Sequence, residues 1–148
     1  MIMMRNMVVL WLVTAALVGA QVPRVALPPP SPSRYYVHIV NGLSQFSMLV
    51  HCQSKDDDLG YQHLQNRGDD FQWNFKVNFW GTTLFWCKLE KPDAYVSFET
   101  FWPESKNTWL RDRCGSQGSC IWIAKDDGIY LRNNPAQVDE LIHKWIPI

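Results

Sequence analysis

The sequence has no surplus of charge: 14 Lys and Arg face 14 Asp and Glu. Without a net field, nucleic acids and anionic membranes are weak candidates as partners. There is no Asn-x-Ser/Thr sequon, because Asn74, Asn78 and Asn107 each fail at the third position. N-glycans should therefore not cover the faces of the protein. No Cys-x-x-Cys pair occurs, and His38, His51, His63 and His143 do not cluster around the cysteines, which argues against zinc. No Gly-x-Ser-x-Gly is present, since Gly42-Leu43-Ser44-Gln45-Phe46 lacks the closing Gly. A hydrolase would need such a nucleophile with a positioned base. Acid–base RNA cleavage needs paired imidazoles, and no His-Gly-Leu-Trp-Pro type segment of the secreted ribonucleases exists. No catalytic residue, metal ligand or cofactor is assigned.

Long apolar runs are also missing. Val8 to Val18 spans about eleven residues, broken by Thr14, where a membrane-spanning helix needs roughly 20. Arg5 precedes the run and Val18-Gly19-Ala20 follows it, the three-part layout of a signal peptide over residues 1–20. The mature chain then starts at Gln21 and is secreted. Residues 21–34 carry Pro23, Pro28, Pro29, Pro30 and Pro32, which forbids helix and central strand and predicts an extended leader. The folded domain is expected over residues 35–148.

Aromatics, by contrast, are plentiful: 14% of residues, with eight Trp. They fall mostly in runs of strand character. Tyr35 to Val40 is rich in β-branched and aromatic residues and ends on the turn Asn41-Gly42. Phe46, Met48, Val50 and Cys52 alternate with other side chains in a second strand. Phe71 to Phe79 alternates at every step, predicting a long strand with one buried face. Thr83 to Leu89 sets Phe85, Cys87 and Leu89 against Trp86 and Lys88. Ala94 to Trp102 follows, with Tyr95 opposite Val96 and Phe98. Cys120 to Ala124 and Gly128 to Leu131 flank Asp127-Gly128, a hairpin signal. Val138 to Trp145 fits either a strand or a short helix. These elements predict an all-β fold, a small antiparallel sandwich of seven to eight strands.

Cys52, Cys87, Cys114 and Cys120 are even in number and lie in a secreted chain, so two disulfides are expected. Three pairings are open. Cys52–Cys120 with Cys87–Cys114 is favoured, because Cys114–Cys120 closes a small loop that constrains the unfolded chain less.

Several ordered motifs resemble the plant self-incompatibility S-protein homologue family. They are the segment His51-Cys52-Gln53-Ser54-Lys55-Asp56-Asp57-Asp58-Leu59-Gly60, then Phe71-Gln72-Trp73-Asn74-Phe75, then Thr82-Thr83-Leu84-Phe85-Trp86-Cys87. The hairpin Cys120 to Leu131 and the C-terminal Trp145 complete the pattern. The resemblance spans Tyr35 to Ile148. It implies a small secreted β-sandwich with two disulfides, and it turns the tail into a final strand, Glu140 to Trp145. The family's founding members are stigma proteins that act as ligands for pollen receptors; many others have no assigned role. The implied function is that of an extracellular signalling ligand or recognition protein whose partner is an extracellular or cell-surface protein receptor, and a monomer is expected. A pistil self-incompatibility determinant is the narrower form of that reading.

Two polar segments are candidates for recognition. Lys55 to Asp70 holds Asp56, Asp57 and Asp58, a run too poor in well-spaced oxygens for calcium. In it, Asp58-Leu59-Gly60 is expected to shape a tight turn with Gly60 at positive φ. Pro103 to Ser119 holds Lys106, Trp109, Arg111 and Arg113, and Trp and Arg most often dominate interface energy. This second loop is the expected recognition surface, with Trp109→Ala plus Arg111→Glu expected to abolish receptor binding while leaving the melting temperature within a few degrees. The alternative function is cell-wall carbohydrate binding, with Trp86, Trp102 or Trp109 stacking on sugar rings. N-terminal sequencing of the secreted protein should begin near Gln21. A product that retains Met1, or stays in membranes after carbonate extraction, would contradict the reading of residues 1–20.

Overall fold

The computed structural model describes Leu27 and residues 30–148. The expected signal peptide and most of the leader lie outside the described residues. Strand periodicity decides the architecture. In β1 (Tyr35–Asn41) the side chains of Tyr35, Val37, Ile39 and Asn41 are buried, while those between them stay partly or fully exposed. The same alternation holds in β2 (Met48–Gln53), β5 (Phe85–Lys91), β6 (Ala94–Phe101) and β7 (Ser119–Lys125). Alternation places one face of each strand toward a shared core and the other toward water.

The remaining strands are β3 (Asp58–Leu64), β4 (Asp70–Phe75), β8 (Gly128–Asn133), β9 (Val138–His143) and the short β10 (Ile146–Pro147). They form two five-stranded sheets. One has the order β4-β1-β7-β8-β9, the other β10-β6-β5-β2-β3. Among the described residues all pairings are antiparallel except β1 with β7, where Ile39 faces Trp122 in a parallel register. The expected sandwich is present, with more strands than foreseen and with this one parallel seam. A parallel pair needs a long crossover, and here strands β2 to β6 and a helix lie between the partners.

Trp122 is the largest fully buried side chain. It reaches from β7 across the core, and its Nε1–H donates to the Thr100 carbonyl of β6 at 3.0 Å. Asn41 is a second polar tie between the sheets. Its Nδ2 donates to the carbonyls of Leu64 and Phe46, and its Oδ1 accepts the Leu43 N–H. A buried amide with its polar atoms bonded costs little and fixes the register of what it joins. Around Trp122 sit Phe98 at 4.9 Å and His143 at 6.0 Å between ring centroids. Tyr35, Phe75, Phe85 and Phe101 form a second aromatic cluster at one end of the sandwich.

Four expectations are corrected. The disulfides are Cys52–Cys87 and Cys114–Cys120. Cys52 sits directly opposite Cys87 on neighbouring strands of one sheet, Cα to Cα 4.0 Å. Cys120 lies in the other sheet, with its sulfur bonded to Cys114, Cα to Cα 4.5 Å. Second, the strand expected over Phe71 to Phe79 ends at Phe75, because the chain there crosses from one sheet to the other. Third, the segment read as a loop from Lys55 contains the edge strand β3, whose polar residues suit a strand with one neighbour. Fourth, Pro103 to Ser119 contains a helix, α1 (Trp109–Cys114). Its signal was slight: Leu110 and Cys114, four apart, both buried.

The tail forms β9 and β10, so a strand is confirmed there, shifted toward the N-terminus. Trp145 follows β9 and donates its Nε1–H to the Lys125 carbonyl at 2.7 Å, fastening the C-terminus to β7.

The two bridges close loops of different length, with sequence separations of 35 and 6. On the chain-entropy scale they are worth about 4 and about 2 kcal/mol respectively. Urea denaturation should show that Cys52→Ala with Cys87→Ala costs more stability than Cys114→Ala with Cys120→Ala. Equal losses, or a Cys52–Cys120 peptide in a non-reducing map, would contradict this assignment.

Candidate recognition surface

At one end of the sandwich the chain leaves β6 at Phe101 and returns at Ser119. Pro103 is buried, Glu104 through Thr108 are exposed, and α1 then packs Leu110 and Cys114 against the core. The Cys114–Cys120 bridge ties the helix to β7. Asn134 adds a second brace, its Nδ2 donating to the carbonyls of Cys114 and Ser119 at 2.9 and 2.7 Å. The exposed segment is thus mounted on a fixed base.

The four residues expected to meet a partner differ in what they do. Trp109 is half-buried and stacks on Trp102 at 5.9 Å with the rings 16° apart. The Arg113 guanidinium lies 4.0 Å from the Trp109 ring centre and also pairs with Glu140 at 2.8 Å. The Arg113 Nη1 donates to the Trp109 carbonyl at 3.1 Å. Trp109 and Arg113 therefore build the base. Lys106 is exposed, pairs with Glu99 at 2.9 Å and lies 5.7 Å from the Trp102 ring centre.

Arg111 holds Glu104 at 2.6 Å, and Ser31 of the leader donates to the same carboxylate at 2.8 Å. Arg111, then Ser31, hold the Glu104 carboxyl below its ordinary range. The last residues of the Pro-rich leader are thereby laid against α1. Trp102 and Trp109 both have their ring surfaces engaged by protein groups, which leaves little free indole for a sugar. Trp86, the third aromatic candidate, is half-buried on the outer face of β5.

Beside this stack, between the edges of β6 and β9, lies an open groove of about 640 Å³ lined by Phe98, Trp102, Trp109, Ile142 and His143. Burial pushes the His143 imidazole down from its ordinary value.

The acidic segment is arranged differently. Asp56 and Asp57 are exposed, and Ser54 and Asp57 close the turn through Ser54 N–H to the Asp57 carbonyl at 2.7 Å. Asp58 Oδ1 accepts the Gly60 N–H at 2.9 Å and lies 2.7 Å from His51 Nε2. His51 in turn stacks on Tyr61 at 4.2 Å. Gly60 has φ +77°, as the Asp-Leu-Gly sequence led one to expect. The Gly60 amide, then His51, lower the Asp58 pKa. A carboxyl lowered on folding favours the fold above its unfolded pKa, about 3.9. That contribution is lost as pH falls through the lowered value. This segment serves the β2–β3 connection, and its carboxylates are not gathered on one point.

The chain matches the family model described as plant self-incompatibility protein S1 over residues 36–145. It is 40% identical over 130 residues to S-protein homolog 1 of Arabidopsis thaliana, covering 87% of this chain and 82% of that protein. It is 39% identical over 117 residues to S-protein homolog 74 of the same plant, covering 78% and 74%. A solved self-incompatibility protein homologue, from a widespread family described as small, highly stable, secreted plant proteins, superposes with a TM-score of 0.58. That match has 21% identity and covers 77% of this chain and 96% of the other.

Because Trp109 supports the base, Trp109→Ala should lower stability by about 1–3 kcal/mol. Lys106→Glu should change it by no more than about 0.5 kcal/mol. Denaturant titration of both variants checks this. A Trp109→Ala protein as stable as wild type would return Trp109 to the partner-contacting set.

Proposed function

We propose that this chain, which belongs to the plant self-incompatibility protein S1 family, is secreted and acts as an extracellular ligand for a cell-surface protein. The observation that supports this best is the contrast within one loop. Glu104 to Thr108 are displayed to solvent, while Trp109 and Arg113 beneath them are locked into the fold. A rigid platform that presents polar side chains of both signs suits recognition of a protein, since little order need be gained on binding. Lys106, the outward part of Arg111 and the exposed Asp112 are the contact residues in this reading, with Trp109 and Arg113 as their support.

Secretion is in keeping with the solved relative, and among the described residues no helix is long and apolar enough to cross a membrane. No catalytic step is assigned, and the ligand acts as a monomer by occupancy of its receptor. In the narrower form of the reading the receptor sits on pollen and the ligand is made by the pistil.

Saturation binding of labelled mature protein to intact plant cells, with and without surface proteolysis, provides the test. Binding should be saturable and lost on proteolysis. Lys106→Glu with Asp112→Lys should weaken it roughly tenfold or more without shifting the melting temperature. Binding that survives proteolysis and both charge reversals, or retention on a cell-wall glycan array, would overturn the reading.

A further inference from the structure

Two aromatic side chains are more exposed than any other described aromatic. Phe79 is 93% and Trp80 80% exposed, whereas every other described Trp is buried or half-buried. Both lie in the loop from Lys76 to Leu84 that carries the chain from β4 to β5. The loop is held by a closed set of hydrogen bonds. The Asn78 N–H donates to Thr83 Oγ1 at 2.9 Å, the Thr82 N–H to Asn78 Oδ1 at 2.9 Å, and Asn78 Nδ2 to Thr82 Oγ1 at 3.0 Å. Ser105 Oγ donates to the Gly81 carbonyl at 2.8 Å. Gly81 has φ +65°, and a Cβ there would stand 2.9 Å from Ser105 Oγ, so the turn requires glycine and closes against the neighbouring loop. From this fixed backbone the two rings project together, edge to face, 5.3 Å apart. They belong to no core cluster, so the fold gains nothing from their size.

A pair of large rings held in water marks a surface that something else covers. Shape and charge choose between coverings. A protein partner needs a broad face, about 800 Å² on each side. Rings this exposed offer a partner two side chains rather than a broad face. A fluid medium that closes around them suits them better, and the headgroup level of a bilayer is where amphipathic rings settle. Residues 77–84 carry no charge, and Lys76 beside them is exposed and has no ion pair among the described residues. The carboxylate one residue before Ser105, Glu104, is neutralised by Arg111. Nothing at the tip repels a phospholipid surface.

We propose that Phe79 and Trp80 form a peripheral lipid-binding tip that dips into the boundary between phospholipid headgroups and acyl chains. The interaction is driven by apolar burial and not by net charge. It is weak and reversible, no stronger than the roughly 10⁴ M⁻¹ of a single myristoyl chain. It would hold the protein at a cell surface without spanning it, and it does not depend on the receptor reading above.

The test uses the mature full-length protein and receptor-free vesicles of phosphatidylcholine, with and without phosphatidylserine. Wild type should sediment with phosphatidylcholine vesicles at high and low salt, and brominated acyl chains should quench part of its Trp fluorescence. Phe79→Ser with Trp80→Ser should cut partitioning at least about tenfold and remove the quenching, with an unchanged melting temperature. The exchange Phe79→Trp with Trp80→Phe, which keeps two rings, should restore binding. Three results would each overturn the proposal. One is no partitioning of wild type, in which case the rings meet a protein pocket. Another is partitioning that the serine variant retains. The third is partitioning that needs phosphatidylserine and vanishes in salt, which would assign it to Lys76.

Discussion

Trp122 is the side chain on which the two sheets depend. Its ring fills the middle of the sandwich, and its indole N–H satisfies a carbonyl on the facing sheet. That carbonyl belongs to Thr100, beside the bulge where β5 and β6 slip register. A buried acceptor left unbonded would be costly, so the distance between sheets and the offset of β6 are set together by one residue. The fully buried Phe101 and the neighbouring Trp102 point to opposite tasks from there, one closing the core and the other founding the stack beneath the exposed loop.

The covalent ties divide the labour in the same way. Cys52–Cys87 staples the middle of one sheet, where both cysteines are wholly buried. Cys114–Cys120 staples a short helix to the start of β7. The first resists unfolding of the whole. The second keeps the platform below Glu104 to Thr108 in place, and with it the leader residue Ser31 that shares Glu104 with Arg111. Surface variation in the exposed loop is thereby separated from the packing that supports it.

Much of this was legible in the chain. Alternation located β2, β4, β5 and β6 and put Cys87 inside and Trp86 outside, while β-branched and aromatic composition located β1. Asp-Leu-Gly foretold the left-handed Gly60, and Asp127-Gly128 the β7–β8 hairpin. What alternation could not show is where a strand stops. Phe75, Val77 and Phe79 share a parity, yet the first is packed among aromatic rings and the last stands in water, because the chain changes sheet between them. Edge strand β3 was hidden by its polar residues, which need satisfy only one neighbour. The disulfide pairing was hidden because loop length speaks of the unfolded chain, while the pairing follows which cysteines the fold sets side by side. Trp109 and Arg113 have the composition of an interface; only their contacts reveal that each is already engaged with the other.

The parallel seam between β1 and β7 bears on how the molecule is made. Strands β2, β3, β5 and β6 are close in sequence and can pair as soon as Phe101 has left the ribosome. β1 precedes all of them, yet one of its two neighbours, β7, is among the last strands synthesised. Long-range pairing of this kind is slow and leaves apolar edges open meanwhile. The first strand of the domain must therefore wait, with Val37 and Ile39 uncovered on one side, until almost the entire chain is available. That interval is when a nascent chain of this design most needs a chaperone.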